Sequence, residues 1–156
     1  MNKLLIFCFA TLMSCTSTIA QKSEDMQSKA EIIKSESQGG TEQPGFVIIK
    51  NEQEFQNVIQ SKQGTSLVEV GSEPVMKYPA FPVGKKVVMY NLGSFRSGDH
   101  TIREIKSISV KDNVLYVEVP MYESGGMEIQ VLSNPWFIFT VPSNYQFTSV
   151  QLKSSK

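Results

Sequence analysis

The chain has 156 residues and a formal charge of zero, from 15 basic and 15 acidic side chains. No run of Lys or Arg is longer than Lys85-Lys86, so there is no basic footprint for a nucleic-acid partner. A hydrophobic content of 40%, with nine Phe and five Tyr, is ample for one folded core. The only two cysteines, Cys8 and Cys15, lie near the N-terminus. The rest of the chain therefore has no disulfide framework, no thiolate nucleophile and no cysteine-based zinc site.

At the N-terminus, Lys3 precedes the apolar run Leu4-Leu5-Ile6-Phe7-Cys8-Phe9-Ala10, which continues to Leu12-Met13. A charged start and an apolar run of about ten residues is the layout of a secretory signal, too short to span a bilayer as a mature helix. Two processing sites compete. Leu12-Met13-Ser14-Cys15 resembles a bacterial lipobox, in which the cysteine is acylated and becomes the new N-terminus. Thr18-Ile19-Ala20 before Gln21 resembles an ordinary small-residue signal-peptidase site. The lipobox is favoured because the otherwise cysteine-free chain holds Cys15 where that processing needs it. The expectation is a signal peptide over 1–15 and a protein of the bacterial cell envelope held to the membrane through lipidated Cys15. The alternative is cleavage after 1–20 and a periplasmic or secreted protein.

Residues 16–45 are rich in Ser, Gln, Glu, Lys and Gly, with few large apolar groups. They read as a flexible tether, because they bury too little surface to offset the entropy of ordering. A folded domain is expected over 46–153. Phe46-Val47-Ile48-Ile49 reads as a strand. Asn51, with Glu54 three residues later, has the form of a capping box, and Phe55, Val58 and Ile59 recur at helical spacing, so 52–62 reads as an amphipathic helix closed by Gly64. Residues 66–70 are ambiguous, and Pro74, Pro79 and Pro82 force an extended route.

Val87-Val88-Met89-Tyr90 is an uninterrupted apolar run, which suggests a strand covered on both faces. A polar loop with Gly98-Asp99 follows. Residues 101–110 read as a second strand, with a bulge or an early loop residue where alternation fails between Ile102 and Ile105. Lys111-Asp112-Asn113 reads as a hairpin turn into 114–119, which alternates with Leu115, Val117 and Val119 on one face. Short strands are expected over 127–132, 136–141 and 147–152. These elements make an α+β, mainly β domain: antiparallel strands in a sandwich-like or barrel-like arrangement with one N-terminal helix.

Candidate chemistry is sparse. His100 lies beside Asp99 and three residues after Ser97, but neighbours on one short loop seldom converge as a catalytic triad, and one histidine is too few for a zinc site. A solvated loop histidine is the favoured reading. Gly125-Gly126 lacks the spacing, the lysine and the following helix of a phosphate loop. Asn134-Pro135-Trp136 opens the most aromatic strand, and Trp136 is either a core plug, the favoured reading, or an exposed anchor. No catalytic residue, cofactor or metal ligand is expected. Ser97, Gly98, Asp99, His100, Gly125, Gly126, Asn134, Pro135 and Trp136 remain as candidate binding-loop residues.

Residues 46–152 resemble the PrcB C-terminal domain family of exported bacterial proteins, named after a lipoprotein subunit of a surface protease complex. The resemblance is carried by Ala80-Phe81, by Val87-Val88-Met89-Tyr90-Asn91-Leu92-Gly93, by the Ser97-Gly98 loop, by the strand bearing Tyr116, and by Asn134-Pro135-Trp136. Where that family has two glycines and an aromatic, this chain has Gly98, Asp99 and His100. The resemblance implies a non-catalytic module that binds or stabilises a protein partner, a protease or another envelope protein. A second resemblance, to chagasin-like cysteine-protease inhibitors, rests on three loops and a Trp; here Gly126 and Pro135 lie closer together than that layout has them. Mass spectrometry of the mature N-terminus checks the anchor: an acylated Cys15 is expected, and a chain starting at Gln21 would rule the lipoprotein out.

Overall fold

The computed structural model describes residues 30–62, 79–123 and 130–156. Among these residues, seven strands and one helix follow in the order β1 (Ile32–Glu36), β2 (Gly45–Ile49), α1 (Glu52–Lys62), β3 (Lys85–Asn91), β4 (Ser107–Lys111), β5 (Val114–Pro120), β6 (Trp136–Pro142) and β7 (Ser149–Ser155). They form a mainly β, α+β domain of two sheets, one ordered β1-β6-β3-β2 and the other β4-β5-β7. No helix among the described residues is long and apolar enough to cross a membrane.

The layers follow from β6. Its residues Trp136 to Val141 are all buried. Successive side chains point to opposite faces of a strand, so burying all six requires cover on both sides. Phe137, Phe139 and Val141 join Val88 against Leu115, Val117, Val119 and Val150 of the second sheet. Trp136 and Ile138 join Val87 and Met89 on the other face, beneath Phe55 and Ile59 of α1. The continuous apolar run in β3 is thus a doubly covered strand, as its composition implied. Helix α1 begins as expected: the Asn51 side chain accepts from Glu54 N at 2.9 Å, and the Glu54 carboxylate accepts from Lys50 N at 2.9 Å. The turn between β4 and β5 puts Asp112 (φ 52°) and Asn113 (φ 62°) in the left-handed region, the geometry of a two-residue type I′ hairpin.

Four expectations need correction. The segment 16–45 is not a tether throughout. Ile32–Glu36 pairs antiparallel with β6, Gly40 N donates to Asn134 O, and Thr41 N donates to Asn91 Oδ1. The domain therefore starts by Ala30 rather than Phe46; β6 would otherwise bury a row of unpaired backbone groups. Gly39-Gly40, read as linker residues, are packed: a Cβ on Gly40 would collide with the Asn134 carbonyl. The strand expected over 101–110 spans only Ser107–Lys111, with the residues before it in the loop. No strand forms over 130–132, and 127–129 lie outside the described residues. Not every pair is antiparallel either, since β5 and β7 run parallel. The chain between them crosses to the other sheet as β6, which supplies the long connection that parallel pairing demands. Cys15, Gly64 and residues 66–70 also lie outside the described residues.

The recruited N-terminal segment makes a stability prediction. A fragment starting at Phe46 loses β1, the cover on that edge of β6, and the Gln38 carbonyl that accepts the Trp136 indole N–H at 2.7 Å. Urea unfolding is expected to show that fragment destabilised by at least about 3 kcal/mol, the order of a large core truncation. A fragment starting at Ala30 should match the longer chain. Equal midpoints for all three would show β1 to be dispensable.

Candidate functional site

The register of the first sheet gives it two distinct ends. Glu36, Gly45, Asn91 and Trp136 share one end, while Ile32, Ile49, Lys85 and Pro142 mark the other. Several loops meet at the first. Phe95 and Ser133 exchange backbone hydrogen bonds of 2.9 Å, Leu92 N donates to Pro135 O at 2.9 Å, and Ser94 N donates to Glu42 O at 3.1 Å. Asn134 Nδ2 donates to Ser94 Oγ at 2.7 Å. The 94–100, 121–123 and 133–135 segments are therefore clustered rather than scattered. Gly125 and Gly126, expected to contribute to this end, lie outside the described residues.

His100 is not a merely solvated loop residue. Its ring stacks on Phe95 at a centroid distance of 3.8 Å and lies 4.1 Å from the Tyr122 ring, tilted by 32°. Its Nε2 lies 3.0 Å from the Ser97 carbonyl oxygen, so that nitrogen carries the proton when the ring is neutral. Gly98 makes this closure possible: its φ is +80°, and a Cβ there would overlap the Tyr122 hydroxyl.

Ser97, Asp99 and His100 do not form a proton relay in this geometry. Ser97 offers His100 its carbonyl, and the Asp99 carboxylate is turned to Thr101 N at 3.0 Å and to Arg103 at 2.7 Å. The Thr101 hydroxyl and N–H, and after them Arg103, hold Asp99 down to about 2. Among the described residues, no three His, Cys, Asp or Glu side chains gather where they could hold a metal ion. Trp136 is 1% exposed and Pro135 is buried, so neither is displayed to a partner. Trp136 is the core plug that its sequence reading favoured, on the face of β6 beneath α1, and neither it nor Pro135 serves as a binding-loop residue. A Trp wedge of the inhibitor type is not presented.

Beside the aromatic stack, the space between the sheets opens into a cavity of about 750 Å³. Tyr90 of the first sheet and Leu92 just beyond β3 line it together with Val119 and Leu152 of the second sheet, and the 99–104 and 120–123 segments complete its lining. Burial pushes the Tyr90 phenol up, so it stays neutral and adds no charge to the wall. Its volume lies within the range of about 300–1,000 Å³ typical of ligand sites. Phe95, Tyr122 and Arg103 belong to this end but were not singled out from sequence. The available signal was an aromatic at position 95 in an otherwise polar loop, and nothing local connects it to position 122.

Asp99 gives a pH prediction. Its folded pKa lies below the ordinary value of 3.8, so its contacts support the loop at neutral pH and are lost as pH falls from about 4 toward 2. The Thr101 amide proton should titrate in NMR with a midpoint near 2, and Asp99→Asn should abolish that titration. A Thr101 midpoint near 4 would show that Asp99 is not held. No protein-family model matches the chain, and neither does any curated protein or solved structure.

Proposed function

We propose that this is an exported, lipid-anchored, non-catalytic module of the bacterial cell envelope that binds a protein partner, a protease or another envelope protein, through the loop end of its sheets. The observation that carries the reading is one open, largely apolar cavity lined by the 99–104 and 119–123 segments and by Phe95, which is tied to the 133–135 segment through Ser133. Loops positioned by a rigid sheet are where binding residues concentrate. Met121 and Tyr122 at the mouth are 44% and 39% exposed, apolar surface of the kind a partner covers.

The direction of the chain supports the same reading. Strand β1 enters beside the far end, where Glu31 meets Lys85 at 2.6 Å and Thr140 N donates to Glu31 O at 2.9 Å. A strand of seven residues such as β6, at about 3.3 Å per residue, separates the two ends by on the order of 20 Å. The chain from a lipidated Cys15 thus enters the domain at the end remote from the loops. The resemblance to PrcB C-terminal domains agrees with such a role.

Trp136→Ala is an uninformative test, because Trp136 is core and its loss would unfold the site. A photo-crosslinking residue at exposed Met121, compared with one at exposed Ser143 beyond the far end of β6, separates the two surfaces. In membranes, a specific adduct is expected from position 121 and not from 143. Equal adducts from both positions, or none from either, would count against a loop-end partner.

A further inference from the structure

We infer that the cavity between the sheets receives an apolar side chain of a partner polypeptide flanked by Lys or Arg. The inference deepens the binding-module reading and rests on it. Three observations define the occupant's chemistry.

The first is the wall. Leu92, Ile102, Val119, Met121 and Leu152, with the Phe95–His100–Tyr122 stack, line the space of about 750 Å³. Against Leu92, Ile102, Val119 and Leu152 water finds few polar partners, so an aliphatic or aromatic group displaces it favourably there.

The second is the charge of the mouth. Among the described residues, Asp99, Glu104 and Glu123 line it, against the cation Arg103. Arg103 is held by Asp99 at 2.7 Å, which neutralises that pair and leaves two carboxylates. Among the described residues, Glu104 and Glu123 have no ion-pair partner. Arg96, the other cation of the loop, does not line the cavity. An acidic rim round an apolar well favours a cationic flank and repels an acidic one.

The third is the surface outside the mouth. Val131 and Leu132 are also exposed apolar residues, at 49% and 63%, on the segment whose Ser133 is bridged to the cavity-lining Phe95. A small molecule would be contained by the cavity and leave that ledge bare. A polypeptide covers both. The side chain in the well anchors it, and its neighbours meet the rim and the ledge.

The test uses the full chain and a fluorescently labelled peptide, Gly-Lys-Phe-Lys-Gly, read by anisotropy and by amide shifts in NMR. Binding is expected to shift Ile102, Tyr122 and Leu152, to strengthen as salt is lowered, and to exceed that of Gly-Glu-Phe-Glu-Gly and Gly-Lys-Ala-Lys-Gly by tenfold or more. Glu104→Lys with Glu123→Lys, both exposed positions whose exchange leaves the core untouched, should weaken it at least tenfold with an unchanged melting temperature. Equal binding of the acidic peptide, or shifts confined to other surfaces, overturns the inference. So does concentration-dependent dimerisation abolished by the same variants, which would make the occupant a second copy of this chain. If the Met121 adduct forms but the basic peptide shows no preference, this inference fails and the binding-module reading survives. If the adduct is absent as well, both fail.

Discussion

Strand β6 cannot exist alone. Six consecutive buried residues, from Trp136 to Val141, offer apolar surface on both faces, and a strand in that position has no water for its backbone N–H and C=O groups. Every other element can be described by what it supplies to β6. The second sheet covers Phe137, Phe139 and Val141, and α1 covers Trp136 and Ile138. Strands β3 and β1 satisfy its two edges. Thr140, the one polar side chain in that run, is 2% exposed and accepts from Glu31 N at 3.3 Å. The indole N–H of Trp136 has its own acceptor in Gln38 O. Leaving such a buried group unpaired costs about 1–3 kcal/mol, enough to explain why a hydrophilic N-terminal segment is held in place.

The same constraint builds the loop end. Because β6 begins where β3 finishes, the chain leaving Asn91 and the chain arriving at Trp136 must pass each other, and they do so through the Phe95–Ser133 bridge. That bridge brings Phe95 to where His100 can stack on it, and the end of β5 delivers Tyr122 to the other ring face. Gly98 permits the approach. The cavity is what remains among Tyr90, Leu92, Val119 and Leu152 once those loops are tied. A site of this kind stands on loops, yet its geometry comes from the sheets, so it is held without belonging to the core.

Much of this was legible locally. The capping box at Asn51 and Glu54, the alternation of Leu115, Val117 and Val119, the Asp112-Asn113 turn and the unbroken run in β3 are short-range patterns, and each corresponds to an observed element. The failures are of another kind. Ile32 and Ile33 sit in a polar stretch whose composition resembles a linker, and only the demand of β6 for an edge partner turns them into β1. The two faces of β6 could be told apart from sequence, but alternation alone left the cover on each face undecided. His100 seemed solvated because its stacking partners lie five residues before it and twenty-two after.

The sequence by itself determined the mainly β class, the helix and the hairpin, because those depend on spacing within a few residues. Only the tertiary structure decided that 32–36 is a strand, that β5 and β7 run parallel, and what covers each face of β6. It alone brought Phe95, His100 and Tyr122 together at a cavity edged by Glu104 and Glu123. The physical reason is common to all four. Side-chain alternation says which face of a strand is buried, but strand pairing is written in backbone groups that are the same in every residue. Which strands pair, and which loops therefore meet, is settled by how the whole chain covers β6.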